Sequence, residues 1–191
     1  VTLLGSSVKS TANAILYDPD LDTLWVGGSL TTGDYPESFI AELSKNGTLS
    51  ADFGVAGVAT TGLNYENSLY ALARTDSGTL IATGFATSEE DQDIFILSYD
   101  TTVSGATGSD ESSEQTEAVL TSAFSLSLVD VSNNDDTGYA LAVTDSGDVV
   151  VAGSAGNGEN LDVSVLRVSG GATLAAAGAT LQAGVTTSGY Y

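Results

Sequence analysis

An internal repeat constrains the fold of this chain more than any other feature of its sequence. Each copy has an alternating apolar run, a turn that contains Asp, and a second apolar run that ends at Gly. Alternation with a period of two predicts strands, and Gly in the Thr-Asp-Ser-Gly turns supplies the positive φ of a tight hairpin. The sequence therefore predicts three β-hairpins, at 14–28, 71–84 and 140–153.

Further short strands are predicted around each hairpin. A third strand follows at 38–43, 93–99 and 161–167, and a fourth opens or closes each unit at 1–5, 58–62, 119–122 and 185–189. Four strands in about 60 residues, without helical periodicity, are typical of a β-propeller blade. We predict one all-β, β-propeller-like domain over 1–191, with three tandem four-stranded antiparallel repeats. The units span about 1–57, 58–118 and 119–184, and the extra strand lies in 185–191.

The linker of the first unit carries a family resemblance. Segment 38–58, with Phe53-Gly54 followed by Gly57, resembles the delta-60 repeat of bacterial β-propeller-like proteins, and 71–84 and 140–153 match the second half of that repeat. The second unit has a Ser/Gly/Glu-rich insertion in place of this signature. The resemblance implies a propeller-type, secreted or cell-surface module, and it implies no fixed catalytic residues.

Composition excludes several classes of chemistry. The chain has 4 Lys plus Arg against 25 Asp plus Glu, a net charge of −21, and neither Cys nor His. Disulfides, zinc sites built from Cys or His, and thiol- or His-based triads are therefore impossible. We predict no nucleic-acid binding, because four cations cannot neutralise a phosphate backbone, and no membrane insertion, because no apolar run is long enough.

An extracellular or cell-surface location is predicted from the same composition. A surface rich in Ser, Thr and Asn, with nearly all of its charge negative, stays soluble by self-repulsion. Because the sequence begins at Val1 rather than Met, we expect a processed chain or a fragment of a longer one.

The candidate metal ligands are three carboxylates in the first hairpin turn, Asp18, Asp20 and Asp22. Alternate carboxylates in a tight loop suit Ca²⁺, which takes six to eight oxygen ligands. The alternative is a longer hairpin turn decorated with Asp, since no bidentate Glu follows at the usual distance. Two further acidic clusters lie at 89–93 and 130–136.

No enzymatic activity is predicted. Paired carboxylates serve glycosidases, but 25 acids produce close pairs by chance, and a catalytic acid needs burial to raise its pKa. Most of the acids fall in predicted loops, with Glu42 and Asp162 as the exceptions within strands. Trp25 alternates with Leu24 and Val26, which favours a place in the core between repeats over a sugar platform.

Two function hypotheses follow. The first is a non-catalytic structural or interaction protein, the subunit of a homopolymeric surface filament in which strand 185–191 adds to a neighbour. The alternative is a calcium-stabilised adhesion module that binds a glycan or another surface protein. Closed propellers need four to eight blades. Three repeats therefore indicate a fragment, a ring completed by two chains, or another closed arrangement.

Overall fold

The fold is all-β in the described part of the chain. The computed structural model describes residues 8–31, 33–63, 65–87, 91–101 and 124–168, and these contain no helix. They form eleven strands: β1 (Lys9–Asp18), β2 (Thr23–Thr31), β3 (Glu37–Ser44), β4 (Val58–Thr60), β5 (Asn67–Arg74), β6 (Thr79–Thr87), β7 (Gln92–Asp100), β8 (Phe124–Val129), β9 (Asp136–Val143), β10 (Val149–Gly156) and β11 (Leu161–Val168). No helix in these residues could span a membrane.

The strands form three antiparallel sheets, one for each repeat. Sheet 1 has the order β1-β2-β3-β4, sheet 2 the order β5-β6-β7-β8, and sheet 3 the order β9-β10-β11. The three predicted hairpins and the three predicted third strands are confirmed. The described sheets do not close into a ring. The structure therefore supports the prediction of antiparallel repeats, and a β-propeller stays a prediction.

The fourth strands differ in part from the prediction. Val58–Thr60 pairs with β3 and so completes sheet 1, although the predicted second unit began at 58. In sheet 2 the fourth strand is Phe124–Val129, which pairs with β7. The predicted strands at 1–5, 119–122 and 185–189 lie outside the described residues.

Two of the hairpin turns are built alike, as their shared Thr-Asp-Ser-Gly sequence predicts. In the first, the Gly78 N–H donates to the carbonyl of Thr75, whose hydroxyl accepts from the Thr79 N–H. The second turn repeats these contacts between Gly147, Thr144 and Asp148. Both glycines have positive φ, 95° and 81°, so the predicted reason for Gly is confirmed.

Each first strand carries a β-bulge opposite the Gly that ends the hairpin. The unpaired residues are Asn13, Tyr70 and Tyr139. A Cβ on Gly84 would lie 1.9 Å from the carbonyl oxygen of Ser68 on the opposing strand. A Cβ on the equivalent Gly28 or Gly153 would also lie 1.9 Å from a backbone carbonyl oxygen of the opposing strand. These three glycines are therefore required by close backbone approach and not by φ.

The sheets pack face to face in sequence order. In sheets 1 and 2, one face packs against the next sheet, and we call it the forward face. In sheet 3 the forward face is the one with the equivalent residues. The opposite face of each sheet is its rear face. Forward positions are Trp25 and Ile40 in sheet 1, Ile81 and Ile96 in sheet 2, and the equivalents Val150 and Val165 in sheet 3. Rear positions are Phe39 and Ala41 in sheet 1, Phe95 and Leu97 in sheet 2, and Leu166 and Val168 in sheet 3.

An aromatic cluster joins sheets 1 and 2. Trp25 is 2% exposed, and its ring centroid lies 5.3 Å from Phe53 and 6.4 Å from Tyr99. Phe53 belongs to the Phe-Gly signature of the linker, where Gly54 and Gly57 both have positive φ. The expected place of Trp25 in the core between repeats is confirmed.

Candidate functional site

The three candidate calcium ligands lie at the end of β1 and in the turn that follows it, before β2. Asp18 is fully buried, and its Oδ1 accepts the backbone N–H groups of Asp20 at 3.0 Å and Leu21 at 3.3 Å. An Asp side chain that bonds its own backbone in this way fixes a turn. Asp22 completes the turn with a φ of 53°.

Protein cations contact all three carboxylates of this turn. The guanidinium of Arg74 lies 2.7 Å from Asp18 Oδ2 and 2.9 Å from Asp20 Oδ2. Lys45 Nζ lies 2.5 Å from Asp22 Oδ2, and this bond lowers the pKa of the Asp22 carboxyl. Two of the four cations in the chain therefore hold the carboxylates. Calcium at this turn stays a prediction, and an ion there would compete with Arg74 and Lys45.

A second acidic group forms where sheets 2 and 3 meet. Ligand oxygens of Asp93, Asp130 and Asp136 all lie within 4.8 Å of one another. Asp93 and Asp136 are buried, whereas Asp130 is exposed. The sequence marked these residues as parts of two separate clusters. Their proximity follows from the packing of β7 against β9, for which the linear sequence has no signal.

Backbone and hydroxyl donors satisfy the carboxylate of Asp136. Its Oδ2 accepts the N–H of Val131 at 2.6 Å, and its Oδ1 accepts the Ser132 hydroxyl at 2.6 Å and the Gly156 N–H at 3.3 Å. Asp130 Oδ1 accepts the N–H of Asn133 at 2.7 Å. These bonds shape the loop between β8 and β9, so the acidic group has a structural explanation.

An open polar cavity of about 540 Å³ lies beside this loop. Its walls are amide and carboxylate side chains from the loop before β9 and from the turn between β10 and β11, with Asp91, the residue before β7. Leu161, at the start of β11, is the apolar side chain of the lining. The cavity offers many oxygen atoms to a polar ligand, but the described side chains around it include no aromatic ring.

Glu42 is a partly buried carboxylate within β3. It lies on the forward face of sheet 1, opposite Trp25 in the β2–β3 register, and it is half-buried. Burial raises the pKa of this carboxyl, a hydrogen bond from Ser50 opposes the shift, and the charge of Asp52 adds to it. A raised pKa suits a general acid, but Glu42 packs between sheets and does not line the polar cavity.

Glu42→Gln is expected to stabilise the protein at pH 7. A carboxyl whose pKa is higher in the folded state binds more protons there, so folding stability falls as pH rises through the range between the unfolded and folded pKa values. Glutamine removes that loss. Thermal unfolding should show a higher midpoint for the variant at pH 7 and a smaller difference at pH 4. Glu66→Gln, at an exposed carboxylate, is the control, and an equal gain there would contradict the burial explanation.

The forward face of sheet 3 is apolar and exposed. Leu161, Val163 and Val165 of β11 are 62%, 65% and 40% exposed. Ala152 on β10 and Ala140 on β9 lie beside them in register and are also exposed. In sheets 1 and 2 the equivalent faces are buried against the next sheet. This face therefore has the chemistry of an interface between sheets and lies open to solvent.

Among the described residues, β11 is an edge strand of sheet 3. The third strands of sheets 1 and 2, β3 and β7, each pair with a fourth strand. In the described residues β11 pairs with β10 alone, so its outer N–H and C=O groups have no strand beside them. An edge strand with an apolar face is a template for pairing with another chain. The sequence predicts assembly through the terminal strand 185–191, but it does not predict the exposed apolar face beside β11.

Comparison with known proteins gives no family: no protein-family model matches the chain, and no curated protein matches it.

Proposed function

We propose that this chain is a non-catalytic structural and interaction protein, the subunit of a homopolymeric assembly on the cell surface or outside the cell. The observation that carries the proposal is the outer side of sheet 3, where an apolar forward face adjoins β11, beside which the described residues place no further strand. Terminal-strand addition is the proposed way in which one copy joins the next.

The arrangement of the sheets supports a propeller-like array. Each sheet follows the previous one in sequence order, and the first strands β1, β5 and β9 lie next to one another. Repeat arrays bury each sheet against its neighbours and need their terminal faces covered. A further unit on sheet 3 would cover this face as sheet 2 covers sheet 1.

The distribution of charge supports contact between copies. The chain carries a net charge of −21, so two copies repel each other over most of their surface. Along β10 and β11, the forward face carries Val150, Ala152, Leu161, Val163 and Val165, with Arg167 as its charged side chain. Arg167 is paired with Asp148. This face is therefore the part of sheet 3 where an acidic copy can approach at the lowest electrostatic cost.

Electron microscopy and light scattering test the proposal. The purified chain is expected to form filaments or larger assemblies, and V163E/V165E is expected to need roughly 100-fold more protein to assemble, since each buried Val contributes about 1.5 kcal/mol. Leu21→Glu is the matched control, because Leu21 is 49% exposed in the turn between β1 and β2 and lies on no sheet face. Monomers of the unmodified chain at every concentration would contradict the proposal.

A further inference from the structure

The fourth strand of each complete sheet is the piece of chain that leads into the next unit. β4 precedes β5 and pairs with β3, whereas β8 precedes β9 and pairs with β7. The strand that closes one sheet is thus continuous with the first strand of the sheet that packs on its forward face. By this rule, the strand that closes sheet 3 leads into a further first strand.

The chain contains a sequence that fits this rule at its start. The bulge residues Asn13 and Tyr70 occupy equivalent positions in β1 and β5. Aligned on these two residues without a gap, Val1-Thr2-Leu3 corresponds to Val58–Thr60, which is β4. The residues that lead into β1 therefore have the position, relative to the bulge, of a strand that closes the preceding sheet.

We infer that Val1-Thr2-Leu3 of a second copy adds to the edge of β11 as the fourth strand of sheet 3. This inference rests on the proposed function and names the joining segment and its register. Ala59 lies opposite Ile40 in sheet 1, and Val165 is the equivalent of Ile40. Thr2 of the second copy therefore lies opposite Val165, in an antiparallel pair.

The bulge residues support the same direction of growth. Asn13 donates to the carbonyl of Leu69 at 2.8 Å, and the ring of Tyr70 stacks on Tyr139 with centroids 5.6 Å apart. In both cases the bulge residue of one unit contacts the first strand of the next. Tyr139 is 54% exposed. A second copy whose β1 lies beside β9 would place a first strand against this ring, as β9 lies against Tyr70.

A segment of the same chain competes for this position. Residues 185–189 resemble 58–62, and 16 residues separate them from the end of β11 at Val168, against 13 between β3 and β4. They would place Thr186 opposite Val165 by the same register. The two donors give different products, because one joins two copies and the other closes a sheet within one copy.

Paired cysteines distinguish the two donors, since the chain has no other Cys. Under mild oxidation, T2C/V165C is expected to give a ladder of covalent multimers on a denaturing gel, because opposite Cα atoms in an antiparallel pair lie within reach of a disulfide. In L3C/V165C the two side chains point to opposite faces, so no ladder is expected. Circular dichroism checks that each variant folds like the unmodified chain.

Three other results would overturn the inference. Assembly of the unmodified chain with cross-linking only in V165C/T186C leaves the proposed function standing and assigns the strand to residues 185–189. Assembly without cross-linking in T2C/V165C or V165C/T186C would exclude the register that places Thr2 or Thr186 opposite Val165. Monomers throughout, with an intramolecular V165C/T186C bond, contradict both the inference and the proposed function.

Discussion

Gly84→Ala is expected to lower the free energy of unfolding by about 3 kcal/mol or more, or to prevent folding. A Cβ at this position would lie 1.9 Å from the carbonyl oxygen of Ser68 and 2.9 Å from a ring carbon of Phe95. Neither neighbour is free to move. Ser68 adjoins the β5 bulge, and Phe95 is 1% exposed in the core between sheets 1 and 2.

The matched control for this substitution is Gly33→Ala. A Cβ at Gly33 would meet nothing within 4 Å, and its φ lies outside the left-handed region. Alanine there should leave stability unchanged or raise it slightly, because it restricts the unfolded chain. Urea unfolding followed by circular dichroism measures both variants. A loss at Gly84 below about 1 kcal/mol would mean that the bulge can shift to admit a methyl group.

The sequence predicts the hairpins because their determinants are local. The Thr-Asp-Ser-Gly turn contains its own hydrogen-bond donors and acceptors, and the turns at Gly78 and Gly147 form alike. The alternation of Leu24, Trp25 and Val26 likewise predicts that Trp25 points to the opposite face from its two neighbours, because side chains of a strand point to alternate faces whatever the partner.

The fourth strand of sheet 2 was not predicted because a short strand is determined by its partner. The segment Phe124–Val129 alternates as a strand should, but nothing local distinguishes it from 119–122 as the partner of β7. Its place depends on where the long connection after β7 returns to the sheet. The β-bulges escape prediction for a similar reason. The glycine of each hairpin is visible in the sequence, whereas the carbonyl that it faces belongs to another strand.

The candidate metal site shows the same limit for side chains. Asp18 and Arg74 are far apart in sequence, and β1 and β5 bring them together at the junction of sheets 1 and 2. A run of carboxylates predicts a cation nearby, but it does not say whether that cation is a metal ion or a guanidinium. In this structure the guanidinium lies between two of the three carboxylates.

Arg74→Met is expected to cost about 3 kcal/mol or more of folding stability. The Asp18 side chain is 0% exposed and that of Arg74 is 19% exposed, so the substitution leaves a carboxylate buried without its cation. A charge buried without a partner carries a large desolvation cost. Because the pair joins β1 to β5, the loss should appear as lower stability of the whole described fold.

A second substitution at Asp18 separates charge from packing. R74M/D18N removes the buried charge, and the amide oxygen can still accept the N–H groups of Asp20 and Leu21. The double variant should therefore regain most of the stability that Arg74→Met loses, and a double-mutant cycle measures the coupling between the two side chains. Lys45→Met is the control, because Lys45 and Asp22 are both exposed and their pair should contribute little.

The same variants test whether calcium binds at the turn between β1 and β2. If the turn at Asp18, Asp20 and Asp22 binds Ca²⁺, removing Arg74 frees two carboxylates, and added calcium should restore part of the lost thermal stability. EDTA should then lower the unfolding midpoint of Arg74→Met more than that of R74M/D18N. A metal site at this turn would be contradicted if the unmodified chain, Arg74→Met and R74M/D18N each unfolded at the same midpoint with calcium as with EDTA. That result would leave Arg74 as the cation that these carboxylates require.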